Sequence, residues 1–285
     1  MEADRVAAGV AELESLGFRV QVPEGLYETT AYTAGPPERR VQELHRLFSD
    51  GDVAGIVCAR GGAGSARLLP LLDAVLLADH PKVFVGYSDI TFLHLFLARL
   101  GMVSFHGPMA ARGLTAGEYD RASLLHAFTG EGSPYRSEVG ELAPLRPGYG
   151  EGRIRGGCLS ILAAAVGTPW SPLADEEGTL LFVEDVDEKP YRVERMLVQL
   201  RQARVLDGVT GIVFGEMRGC GPREDEDYSL EQVVLGALDG LDLPVAFGLP
   251  SGHTDRAHAT LPLGAWARLD CGQAARLEVL EPGVS

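Results

Sequence analysis

The chain has 285 residues, 46% of them hydrophobic, enough to bury a sizeable core in one large domain or two modest ones. Its net charge of −15 leaves no basic patch to neutralise phosphates, which excludes nucleic acid and anionic membrane surfaces as partners. Four cysteines (Cys58, Cys158, Cys220 and Cys271) stand far apart, with no C-x-x-C pair and no histidine at ligand spacing, so no metal site is read and a reducing, cytoplasmic setting is expected.

Val6, Val10, Leu13 and Leu16 recur at helical spacing up to Gly17, which makes the N-terminus an amphipathic helix rather than a signal peptide. The stretch FRVQV is expected to follow as a strand. Residues 37–48 read as a helix, AGIVCAR as a strand, and SARLLPLLDAVLLA as a helix despite its proline. In VFVGYSDITFLHLFLARLG, Val83, Phe84 and Val85 suit a buried strand, and Ile90, Leu93, Leu97 and Leu100 give a helix closed by Gly101. MVSFHGPM continues the alternation, which implies βα units and a mainly parallel, Rossmann-like sheet. From 131 to 156 glycine, proline and charge dominate, and the stretch is read as a linker between an N-terminal domain, 1–130, and a C-terminal α/β domain with a mixed sheet, 157–285. There CLSILAAAVG is expected as a helix, TLLFVEDV as a strand leading to a helix that opens at Pro190, and GIVFGEM and PVAFGLP as strands around a helix near 229–239. The tail AWARLDCGQAARLEVL suits an antiparallel hairpin, and the acidic run at Arg223 suits a solvated loop. The longest apolar runs are too short to span a bilayer.

Ser88 falls on a sharp turn from strand to helix. There it can cap the helix, or act as a nucleophile beside a helix N-terminus that favours a developing oxyanion. A serine nucleophile needs a base, and the base needs an orienting acceptor. His45, His94 and His126 lie within helices and His80 on a loop, as ordinary imidazoles, while His106 at a strand end could line a cleft. His253 is framed differently: it follows a buried strand in FGLPSGHTDRAHATLPLG, with Gly252 before it and Pro250 and Pro262 stiffening the loop. His258 is close by but lacks that framing. Glu184 ends the apolar strand LLFVE, where an unpaired carboxylate costs desolvation. The alternative is that Glu184 or Asp185 only caps the helix at Pro190. The order Ser, Glu, His is that of α/β-hydrolases, although GYSDI does not match their G-x-S-x-G elbow. The glycine-rich ARGGAGSARLLPLL lacks a Walker lysine and is read as a turn whose Gly62 N–H, with that of Asp89, forms an oxyanion hole.

ARGGAGSARLLPLLD, VGYSDIT, GGCLSILAAAVGTPW, LLFVEDVDEKPYRVERMLVQL and GLPSGHTDRAHATLPLG, in this order and spacing, resemble the LD-carboxypeptidase family over nearly the whole chain. That family of serine peptidases includes murein tetrapeptide carboxypeptidases and microcin-immunity peptidases. The resemblance implies two α/β domains with a Ser-Glu-His triad in the cleft between them, here Ser88, Glu184 and His253. It further implies hydrolysis of an L–D peptide bond, releasing D-alanine from murein tetrapeptide in the cytoplasm by a homodimer that needs no cofactor or metal. Ala63 stands where the family has an aromatic residue and Cys158 where it has asparagine, so both are read as substrate-binding positions at which this chain departs. The chain also opens on a helix where the family has a preceding strand, so a segment of about 15 residues is expected upstream, with an unpaired sheet edge beside GIVCA without it. Competing readings are a microcin-immunity-type peptidase or amide hydrolase on the same triad, and a non-catalytic peptide-binding module in which Ser88 only caps.

Overall fold

A computed structural model of the chain describes residues 3–132, 135–137, 142–172 and 178–284. The first helix, α1 (Ala3–Ser15), turns its buried face of Val6, Gly9 and Leu13 inward. A Cβ on Gly9 would lie 2.0 Å from Ala110 O, so the helix seats backbone against backbone on the 110 loop. Leu13 packs there with Leu114, Tyr119 and Leu124. FRVQV is not a strand: Phe18 packs edge-on against Phe128 at 5.2 Å, so its side chains join this cluster instead of a sheet face. Helix α2 (Pro37–Ser49) and strand β1 (Gly55–Val57) follow. The helix expected next is broken into two 3₁₀ turns, 65–67 and 69–71, and a short α3 (Ala74–Asp79). Pro70 has no N–H to donate, and Asp73 starts the helix afresh by accepting from the N–H groups of Val75 and Leu76. Strand β2 (Val83–Gly86), α4 (Thr91–Arg99), β3 (Ser104–His106) and α5 (Arg121–Thr129) complete the first half.

The 131–156 stretch corrects the sequence reading, because β4 (Ala143–Arg146) and most of an 11-residue β5 (Gly148–Cys158) occupy half of it. The glycines that resemble loop punctuation are points of close approach. A Cβ on Gly150 would lie 2.2 Å from Thr210 O, and one on Gly156 1.8 Å from Phe182 O. Then come α6 (Leu159–Ala165), β6 (Thr179–Glu184), α7 (Pro190–Gln202), β7 (Val209–Gly215), α8 (Leu230–Ala237) and β8 (Val245–Leu249). The chain finishes with β9 (Leu261–Leu263) and the hairpin of β10 (Trp266–Cys271) and β11 (Ala275–Val279).

The α/β architecture rests on two sheets, ordered β1-β2-β3-β9 and β11-β10-β5-β6-β7-β8-β4. In the first, β1, β2 and β3 run parallel, β1 forms one edge, and β9 closes the other side antiparallel to β3. In the second, β5 to β8 are parallel and antiparallel strands flank them. One hydrophobic cluster spans both sheets, joining Phe84, Ile90 and Leu93 to Leu181, Val193 and Phe214. The C-terminal ends of β2, β3 and β6 therefore point into a shared junction, as parallel strand ends do at the sites of α/β proteins. No helix among the described residues is long and apolar enough to cross a membrane.

Candidate active site

Beyond β2, Tyr87 is extended and Ser88 adopts a left-handed φ of +66° before the turn into α4. A non-glycine residue held there is strained, and such strain gathers at functional turns. Ser88 is not the helix cap: Ile90 precedes α4, and no side-chain bond caps it. What makes room for Ser88 is Gly61, where a Cβ would lie 2.8 Å from Ser88 Cβ and 3.1 Å from its Oγ. Sequence reasoning chose Gly62 in this loop; Gly62, at φ +104°, faces open space, and Ala63 beside it is exposed. The buried Asp89 side chain accepts the Ser65 N–H at 2.9 Å, tying the glycine-rich loop to the Ser88 turn.

Glu184 ends β6 with 1% exposure. Its Oε2 accepts the backbone N–H of His253 at 3.0 Å and lies 2.7 Å from His253 Nδ1. That contact sets the tautomer, because a carboxylate oxygen can only accept, so Nδ1 carries the hydrogen and Nε2 is left for chemistry. Burial works against the charged histidine, but the hydrogen bond and charge of Glu184 outweigh it, and the His253 pKa is raised. Glu184 is buried too, yet His106 and His253 hold its carboxyl well below the usual carboxylate range.

The His253 loop is built onto this carboxylate. Gly252, at φ +90°, brings its backbone so close that a Cβ would lie 2.5 Å from Glu184 Cδ. Beyond it, Glu216, just after β7, accepts from Thr254 Oγ1 at 2.5 Å, from Asp255 N–H at 3.1 Å and from the Arg256 guanidinium. Tyr87 packs edge-on against the His253 ring at 5.1 Å, so the strand end that carries Ser88 meets the loop that carries His253. The hydrogen bonds of His253 among the described residues both go to Glu184, and the expected Ser88–His253 bond is not closed. Such bonds often tighten only around substrate.

Asp185 caps a helix, but not the one at Pro190: it accepts the Ser160 N–H at 2.7 Å, at the start of α6. Cys158 pairs in register with Glu184; its N–H donates to Thr91 Oγ1 at 3.1 Å and its Sγ lies 3.3 Å from Ser160 Oγ. Burial, with Glu184 and Asp185 nearby, pushes that thiol well above its ordinary pKa. His106, wholly buried, lies with Nε2 3.7 Å from Glu184 Oε1. His258 Nε2 accepts the Gly252 N–H at 2.9 Å, and burial pushes its pKa down to about 3, so it supports the loop as a neutral ring. Sequence reasoning missed Gly61 and Glu216. Glu216 carries a faint signal, a charge just beyond a buried strand, much as Glu184 is a charge at the end of one. Among the described residues no group of three His, Cys, Asp or Glu is arranged to hold a metal ion.

Known proteins resemble this chain over most of its length. The LD-carboxypeptidase N-terminal domain matches residues 1–107, and the LD-carboxypeptidase C-terminal domain matches residues 151–269. A probable murein peptide carboxypeptidase of Bacillus subtilis is 37% identical, over 96% of this chain and 86% of its own length. The crystal structure of a muramoyltetrapeptide carboxypeptidase from Oxalobacter formigenes superposes with a TM-score of 0.84 at 33% identity, covering 99% of this chain and 96% of that one. The microcin C7 self-immunity protein MccF of Escherichia coli is 29% identical, over 94% of this chain and 86% of its own length.

Proposed function

The chain belongs to the LD-carboxypeptidase family, and on that footing we propose that it is a serine carboxypeptidase that releases a C-terminal D-amino acid from a murein peptide. The observation that carries the proposal is the buried Glu184 Oε2, 2.7 Å from His253 Nδ1, on a loop packed against the residue before a strained Ser88. His253 Nε2 takes the Ser88 proton as Oγ attacks the scissile carbonyl, and Glu184 stabilises the imidazolium that forms. The N–H groups of Gly62 and Asp89 receive the oxyanion, with Gly61 giving the loop its close approach. His253 then protonates the leaving amine, D-alanine departs, and water cleaves the acyl-enzyme by the same route. The exposed Ala63 leaves one wall of the substrate pocket open. Cys158 acts on substrate only through its neighbours, because its thiol is engaged with Ser160. The family resemblance supports a cytoplasmic homodimer acting on recycled wall fragments.

The likeness to MccF supports a second reading, an immunity-type peptidase on the same three residues. A panel of peptides separates the two. Purified protein incubated with murein tetrapeptide is expected to release D-alanine, and the same peptide ending in L-alanine is expected to survive. Cleavage of the L-ended peptide alone would overturn the L–D assignment. Binding of tetrapeptide without any turnover would make the chain a binding module.

A further inference from the structure

Glu184 has a second oxygen, and the reaction above gives it no task. Oε1 faces His106 Nε2 across 3.7 Å. Both atoms are buried, and neither has a hydrogen-bond partner. Buried polar atoms are nearly always paired, so two that face each other unpaired need a proton between them.

The other side of the ring shows which proton is missing. Ser251 Oγ lies 2.9 Å from Ala259 O, and since a carbonyl only accepts, the hydroxyl proton is spent there. The lone pair of His258 Nε2, 3.4 Å from the same hydroxyl, is taken by the Gly252 N–H. Ser251 Oγ therefore accepts from His106 Nδ1 at 3.1 Å, and Nδ1 carries a hydrogen. A neutral His106 in that tautomer would point the Nε2 lone pair at a carboxylate. A second proton, on Nε2, replaces that repulsion with an ion pair between the two orphaned atoms across 3.7 Å.

We propose that His106 is a positioning residue that holds a proton against the free oxygen of Glu184, so that the triad's acid is one carboxylate shared between two imidazoles. Other groups around His106 do not supply that charge. Tyr87, at the end of β2, packs 5.9 Å away, and its phenol is pushed up to about 12 by burial and by Glu184. His94 on α4, 6.3 Å away, is pushed down to about 3 by burial, and its two nitrogens are engaged by Ser104 Oγ and Gly86 O. His258, 6.0 Å away, is neutral as described, and Phe182 of β6 covers the remaining face at 4.9 Å. Asp185, next to Glu184, points its carboxylate at the start of α6. The charge that bears on His106 is thus that of Glu184, whose other oxygen lies on His253 Nδ1. With the carboxylate balanced from behind, His253 rests with Nε2 bare and able to accept the Ser88 proton, while Oε2 stays fixed on Nδ1.

The inference rests on the assignment of Glu184 as the triad's acid, and its first test needs no substrate. In ¹⁵N NMR of the free wild-type protein at neutral pH, with the histidines assigned by through-bond correlation, His106 is expected to show both ring nitrogens protonated and a slowly exchanging Nε2–H. A bare Nε2 on His106 overturns the proposal whether or not the protein cleaves any peptide. The second test is the pH profile of kcat/KM for D-alanine release by His106→Gln, whose amide can donate to Oε1 but carries no charge. His253 then faces an unbalanced carboxylate and binds its proton more tightly. The acid limb moves up by about one pH unit, a loss of roughly tenfold on the low-pH side. An equal loss at every pH, with the limb unmoved, would reduce His106 to packing and overturn the proposal.

Discussion

Ser88, Glu184 and His253 were readable as single residues because each stands where a buried strand runs out, a place where packing alone gives a polar side chain no reason to be. Their partners were not readable. Gly61 matters through its approach to Ser88, Glu216 through a loop 38 or more positions away, and His106 through a carboxylate on another sheet. Spacing along the chain does not encode such contacts. At this scale Ser88→Ala and His253→Ala are each expected to lower kcat by about three orders of magnitude or more, and the double variant to be scarcely slower, because the two act as a unit. Losses that multiply in the double variant would contradict this. Glu184→Gln removes the carboxylate that sets the His253 tautomer, and kcat is expected to fall by about 10⁴-fold while the melting temperature shows the fold intact. The raised His253 pKa fixes the sign of the pH dependence. His253 must be unprotonated to act as base, so kcat/KM rises with pH, with a midpoint above the ordinary imidazole value of about 6.5. A rate that falls as pH rises through that range would contradict the assignment of His253 as base.

At the scale of elements, the βα alternation and the C-terminal hairpin followed from hydrophobic period, while FRVQV and 131–156 did not. β5 was hidden because its glycines are selected for contact with neighbouring backbone, which in sequence looks the same as a loop. Gly156→Ala therefore tests the strand: with φ at +129° and Phe182 O in the way, it is expected to cost about 3 kcal/mol or more in denaturant unfolding. Gly51→Ala, which meets nothing within 4 Å, serves as the neutral control. Equal stability of the two variants would mean that β5 does not pack as described. The His253 loop is an element of its own, pinned by Glu216. Glu216→Ala is expected to lower kcat about tenfold, through misplacement of the imidazole, with little change in melting temperature. Unchanged kinetics would show that Gly252 and His258 hold the loop without it.

On the scale of the whole molecule, the two halves do not merely face each other. Strand β9 from the second half completes the first half's sheet, the Cys158 N–H reaches Thr91 on α4, and one core runs through both sheets. That continuity brings the Ser88 turn of one sheet against the Glu184–His253 pair of the other with no disulfide among the described residues. The two-half plan was visible in the sequence, but this interlocking was not, because β9 sits about 155 residues beyond the strand it joins and only three residues mark it. The central claim is that Ser88 carries the acyl group between the two steps. Mass spectrometry of protein quenched during turnover of murein tetrapeptide tests it most directly. The account predicts that the peptide containing Ser88 gains the mass of the substrate less D-alanine, and that this adduct is absent from Ser88→Ala. D-alanine release that persists in Ser88→Ala, with no adduct on the wild-type peptide, would contradict it.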